Sequence, residues 1–289
     1  MRSLPLPNKS IESILNACVD GLSDENRLNE KYTENLDKFK SNGDEYCKKA
    51  ACNELHLIDE YDRSIGFELD NGLTGEEIKS LYSNLFSKEG KPARRIYNEI
   101  KESAPLNICP YCGCGRVTTL DHFLPKAKYP FFSVLAENLV PSCSDCNHGK
   151  GMSNANSAEK QTLHPYYDHA LLVTDQWLFA SVCETQPTTL MFRAEAPKNW
   201  SSINKERIQA HFSSYNLAIV CAHFANVELA DRYQSDSSTF KKHGHEMLRV
   251  ILEEEANNLK LRHKNHWRTA MFQALANSEW YCHGCFIFE

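Results

Sequence analysis

The sequence predicts an α+β fold in which a small, cysteine-rich mixed module lies between mainly α-helical flanks. Three observations carry this reading. Apolar residues recur at helical spacing through residues 1–92, and that period is lost from Leu106 to about Leu163, where Cys, Gly, Pro, Asn and His concentrate. Beyond it, two short segments of strand character precede a return to helical spacing. The chain therefore divides into a helical N-terminal region (1–92), the mixed module (93–165), and a C-terminal region (166–289) with a hairpin followed by helices.

Taken in order, Ile11, Ile14, Leu15, Cys18 and Leu22 define one helical face, and Leu28, Tyr32, Leu36 and Phe39 a second. These faces either dock a partner or pack on the chain's own core. Thr74-Gly75-Glu76-Glu77 reads as a capping box, because Thr74 and Glu77 can satisfy each other's helix-terminal amides. The helix it opens carries Ile78, Leu81, Tyr82 and Leu85 and should end near Gly90-Lys91-Pro92. Another helix runs from about Pro92 to Glu102, and Arg116 to Asp121 reads as a strand. Further on, Gln176 to Cys183 and Thr189 to Arg193 flank a proline-containing connection and predict a hairpin. Leu248, Leu252, Ala256 and Leu259 then share one helical face.

Composition narrows the function. Of 289 residues, 42% are hydrophobic and 24% charged, ordinary values for a globular protein. No uninterrupted apolar run has membrane-spanning length, and the best stretch, Ala170 to Cys183, contains Asp175. The N-terminus has no apolar leader segment, so a cytoplasmic protein is expected, with no membrane partner. A net charge of −6 means that a nucleic-acid role needs a local basic patch. Twelve cysteines are too sparse for a disulfide scaffold in a chain of this size, so where they cluster matters.

They cluster as two knuckles, Cys109-Pro110-Tyr111-Cys112 and Cys143-Ser144-Asp145-Cys146, about thirty residues apart. Each places two thiolates on one side of a tight turn, and together they complete a tetrahedral structural Zn²⁺ site with no open position. Cys114 is an alternative to Cys112, but the two-residue gap fits better. Between the knuckles, Asp121 and His122 end the predicted strand side by side, so that one can face a metal and its neighbour a water. The second knuckle opens a helix, which sets Asn147 near Asp121. That oxygen pair suits a hard catalytic cation such as Mg²⁺.

Asp121-His122, Asn138 and Cys143-x-x-Cys146-Asn147, framed by the knuckles, resemble the HNH nucleases of the treble-clef or ββα-metal class. The resemblance implies that the mixed module is a zinc-clamped ββα-metal unit. It makes His122 the general base, Asp121 and Asn147 the ligands of one Mg²⁺ or another divalent metal, and Asn138 the residue that orients the loop. The family often has histidine at the position of Asn147, and His148, one place on, is an alternative ligand. Lys126, Lys128 and Lys150 would meet nucleic-acid phosphates and supply the missing basic patch.

The flanks narrow the likeness. Gly90-Lys91-Pro92-Ala93-Arg94-Arg95-Ile96-Tyr97, Leu163-His164-Pro165-Tyr166-Tyr167-Asp168 and the Trp177 hairpin resemble the HNH subunit of Septu-type anti-phage systems, the PtuB family, including retron-associated versions. That implies an effector nuclease working with an ABC/SMC-like, PtuA-like ATPase, in retron-associated versions also with a reverse transcriptase and its RNA/DNA. The implied substrate is nucleic acid, DNA ahead of RNA. The same chemistry aimed at RNA such as tRNA is one alternative; a non-cutting zinc adaptor that recruits nucleic acid is another. Asp121-His122 speaks against the adaptor, since binding alone does not require that pair. Three features stay outside the site: the Lys260–Arg268 basic run on an expected helix, the unmatched Cys282 and Cys285, and His164, a residue placed to buttress the site from a loop.

Overall fold

Ser10 starts the first helix, its hydroxyl accepting from the Ser13 amide, and α1 (Ile11–Val19) buries Ile14, Leu15 and Cys18. The computed structural model describes residues 1–23, 27–61, 72–150 and 155–288, which fall into two compact units. The first unit comprises Leu4–Pro110 and Gly115–Tyr167; the second comprises Asp168–Glu289 with Met1–Ser3 and Tyr111–Cys114.

In the first unit, the periodic stretch from Leu28 to Phe39 is two helices, α2 (Leu28–Glu34) and α3 (Leu36–Ala51). The break falls at Asn35, whose side-chain amide donates to the Lys31 carbonyl and so competes with the helical ladder. The Thr74–Glu77 capping box forms with both bonds in place and opens α4 (Gly75–Ser80). That helix does not run on to Gly90 in α geometry; over Leu81–Phe86 it widens into a π-helical turn. Next come α5 (Arg94–Glu102), then β1 (Thr119–His122) paired antiparallel with β2 (Leu139–Ser142), Asp121 opposite Val140 and His122 opposite Leu139. The strand expected from Arg116 begins later, because Arg116 makes an isolated bridge to Ile108 instead. α6 (Ser144–Lys150) opens at the second knuckle.

One apolar cluster joins these elements, with Ile14, Tyr32, Phe39, Ile78, Leu81, Phe86, Ile96, Leu120 and Leu139 buried together. Each such side chain contributes roughly 1.5–3 kcal/mol on burial. The apolar faces of α1 to α3 are covered by this unit's own core.

The second unit begins with α7 (His169–Val173) and a hairpin of β3 (Leu178–Cys183) and β4 (Thr189–Ala194), in the register Leu178 to Ala194 through Cys183 to Thr189. Four helices follow: α8 (Ser202–Ser214), α9 (Leu217–Arg262), α10 (Trp267–Ala276) and α11 (Glu279–Cys282). α9 is two helices in sequence, broken at Gly244, whose φ of 80° only glycine adopts freely. Leu248, Leu252 and Ala256 are buried on its second half.

The helix expected through Lys260–Arg268 is interrupted, since α9 ends at Arg262 and α10 begins at Trp267. Within that run Arg268 is paired with Glu228 and Glu255, and Lys264 donates to the Thr174 carbonyl. Among the described residues no helix is long and apolar enough to cross a membrane.

Candidate active site

The sulfurs of Cys109, Cys112, Cys143 and Cys146 lie within 4.8 Å of one another, all four buried and none in a disulfide. A tetrahedral Zn²⁺ with bonds of about 2.3 Å sets its sulfurs about 3.8 Å apart, so the donor set fits that ion and closes its coordination. Among the described residues this is the one group of three or more Cys, His, Asp or Glu placed to share a metal. Cys114 stands outside it, its thiol 3.2 Å from the Cys112 carbonyl. Cys282 is buried with its thiol towards the Leu275 and Ala276 carbonyls, and Cys285 is exposed.

At the end of β1, Asp121 is buried at 4% exposure and its neighbour His122 is half-buried. Lys150, the last residue of α6, returns to this strand. Its Nζ lies 3.0 Å from Asp121 Oδ2, 2.8 Å from the His122 carbonyl and 2.6 Å from the Phe123 carbonyl. Lys150 is thus a buried cation in a cradle of three oxygens, where the sequence suggested a lysine open to phosphate. Burial lowers its pKa, and the Asp121 charge pulls it back up.

His122 Nε2 lies 2.9 Å from the Ser133 carbonyl oxygen. A carbonyl only accepts, so Nε2 carries the proton and a neutral ring keeps its lone pair on Nδ1. Burial above all, and then the Lys126 ammonium, lower the His122 pKa to about 3, which leaves the ring neutral near pH 7. The loop behind it is held by Asn138. Its Oδ1 accepts from Leu124 N at 2.7 Å, and its Nδ2 donates to the Leu124 and Phe132 carbonyls, both at 3.0 Å.

The other sequence-derived residues are spread around this centre. Asn147 is half-buried on α6. His148 is exposed, and its Nδ1 donates back to the Ser144 carbonyl at 2.7 Å. Lys126 donates to Ser83 Oγ at 3.1 Å, and Lys128 pairs with Glu60 at 2.9 Å.

Three further residues shape the site. Ser133 supplies the carbonyl that fixes the His122 tautomer. Tyr82 sets its ring edge-on to His122, centroids 4.4 Å apart. His164 is buried, accepts from Tyr166 N at Nδ1, and so donates from Nε2 to Tyr46 Oη at 3.0 Å. Its ring lies 4.1 Å from that of Phe123, the residue after His122. In the sequence Tyr82 carries only the signal of a helical apolar position, and Ser133 carries none.

No family model matches the chain, and no solved structure matches it. Protein ea31 of Escherichia phage lambda is 32% identical over 300 aligned positions that cover 96% of this chain and 98% of that protein. The Septu protein PtuB of Bacillus thuringiensis is 37% identical over 67 positions, 22% of this chain and 25% of PtuB.

Proposed function

The chain belongs to the family of phage lambda protein ea31, and from its site we propose that it is a divalent-metal-dependent HNH endonuclease that hydrolyses phosphodiester bonds of nucleic acid. The observation that carries this reading is His122 Nε2 fixed on the Ser133 carbonyl, which leaves Nδ1 as the ring's acceptor, beside the buried Asp121 carboxylate on the strand that lies between the two cysteine knuckles in sequence.

In this reading His122 takes a proton from the attacking water at Nδ1, and the Ser133 carbonyl steadies the imidazolium through Nε2–H. Asn138 keeps the loop that carries Ser133 in place through its bonds to Leu124 and Phe132. Asp121 and Asn147 offer hard oxygens for a divalent cation, which when bound would stabilise negative charge at the scissile phosphate. Lys126 and Lys128 approach the flanking phosphates. Zn²⁺ held by the four cysteines would have a structural role.

The partial likeness to PtuB supports a place in a Septu-type anti-phage system. In that setting the nuclease works with an ABC/SMC-like ATPase, and in retron-associated versions with a reverse transcriptase and its RNA/DNA. DNA is the favoured substrate.

The test is gel-based cleavage of matched DNA and RNA with Mg²⁺, using wild type and His122→Ala, each alone and with the co-encoded ATPase. Loss of the base should slow cleavage about 10²–10⁴-fold. Equal cutting by the variant, or no cutting of either substrate in any combination, overturns the assignment. The lane that is cut decides between DNA and RNA.

A further inference from the structure

The helix that precedes the module is tied to it at three points. Ser133 Oγ donates to the Ile78 carbonyl on α4 at 3.1 Å, which anchors the residue whose own carbonyl receives His122 Nε2–H. Tyr82 donates from its hydroxyl to the Leu120 carbonyl on β1 at 3.3 Å while its ring meets the His122 ring at 65°. Ser83, the next residue, accepts from Lys126 Nζ, and that ammonium sits 4.3 Å from the Tyr82 ring centroid.

Tyr82 and Ser83 both belong to the π-helical turn Leu81–Phe86. Such turns are rare and occur often at functional sites, because they present side chains that a regular α-turn would direct elsewhere. The hydrogen bond to Ser133 fixes one point of the imidazole, and a ring held at one point still swings about it. The Tyr82 ring, set at 65° to the imidazole, supplies the second point. Lys126 has its ammonium held by Ser83 and the aromatic ring, so less of its rotamer freedom remains to be lost on meeting a phosphate.

We propose that this π-turn divides two duties between adjacent residues: Tyr82 is a positioning residue that orients the His122 imidazole, and Ser83 is a positioning residue that aims Lys126 at substrate phosphate. The inference rests on the nuclease reading of His122 and extends it to an element outside the cysteine frame.

The experiment compares steady-state cleavage by wild type, Tyr82→Leu, Tyr82→Phe, Ser83→Ala and His122→Ala, all zinc-loaded and with the partner if cleavage requires it. Tyr82→Leu is expected to lower kcat about 10–100-fold with little change in KM. Tyr82→Phe keeps the ring and should restore most of kcat. Ser83→Ala, at an exposed position, should raise KM several-fold and leave kcat unchanged.

Nitrogen-15 NMR of the His122 ring gives a readout independent of activity. Wild type and Tyr82→Phe should each show one sharp set of Nε2–H signals, and Tyr82→Leu a broadened set. If His122→Ala cuts as fast as wild type, the nuclease reading falls and this inference with it. If His122→Ala is inactive while Tyr82→Leu keeps kcat and a sharp ring signal, the positioning role of Tyr82 is wrong and the nuclease reading stands. An unchanged KM in Ser83→Ala overturns the duty given to Ser83.

Discussion

In the first unit Lys150 meets Asp121 through an ammonium–carboxylate contact at 3.0 Å, with side chains 5% and 4% exposed. In the second unit Arg207 grips Asp168 with two parallel bonds of 2.9 and 2.6 Å, at 0% and 3% exposure. Burial is the same, but the cations differ. The guanidinium fork matches both carboxylate oxygens and fixes their direction, so the Arg207 pair is a permanent brace. The ammonium is a compact point charge that shares its protons among Asp121 and two backbone carbonyls. Its cradle of hard oxygens is the donor chemistry that a divalent cation also seeks. The expected consequence is that the Arg207 pair ignores a divalent cation and the Lys150 pair responds to one.

The largest effect should come from removing the four-cysteine frame. Structural zinc contributes an apparent ~10–16 kcal/mol in small zinc domains. Cys143→Ser, or strong chelation, should abolish the zinc content measured by plasma mass spectrometry and collapse the near-ultraviolet dichroism.

Next, Arg207→Met takes the guanidinium fork from the buried Asp168 carboxylate and should cost about 3–5 kcal/mol in urea unfolding. That cost should be the same with or without Mg²⁺. Lys150→Met takes the ammonium from Asp121 in the same way, but here Mg²⁺ should return part of the loss. Thermal melts with EDTA and with Mg²⁺ would read this difference, and two variants with the same metal response would erase the contrast drawn above.

The smallest effect is the pH dependence of the second unit. Burial, first among the causes, lowers both His211 and His266 to about 3. His211 donates to the Tyr111 carbonyl, and His266 Nδ1 accepts from Arg268 N, a bond that needs the ring unprotonated there. Because the folded values lie below the unfolded value of about 6.5, the stabilisation is present above pH 6.5 and is lost as pH falls towards 3. Between pH 7 and 6 the loss is about 0.7 kcal/mol per histidine, measurable as a shift in urea midpoint. His211→Asn should flatten that slope.

The α+β class and the four-cysteine cluster were legible because they rest on short-range rules. A Cys-x-x-Cys knuckle, the Thr74–Glu77 box and the hairpin across Pro187 each fit within a few residues of chain. The contacts that define the candidate site are of another kind. Lys150 finds Asp121 only because the end of α6 returns to β1, 29 residues away in sequence. Tyr82 reaches His122 only through a helix that widens at Leu81. Neither depends on a local signal. The helix break at Asn35 was also hidden, since the apolar period continues across it.

The most direct measurement is the Mg²⁺ dependence of single-turnover cleavage by wild type and Asp121→Asn, both zinc-loaded and with the proposed ATPase partner present. A saturable dependence in wild type, with the variant slowed at least ~10²-fold at matched Mg²⁺, is the predicted result. Cleavage that survives EDTA, or that proceeds equally in Asp121→Asn, would contradict it.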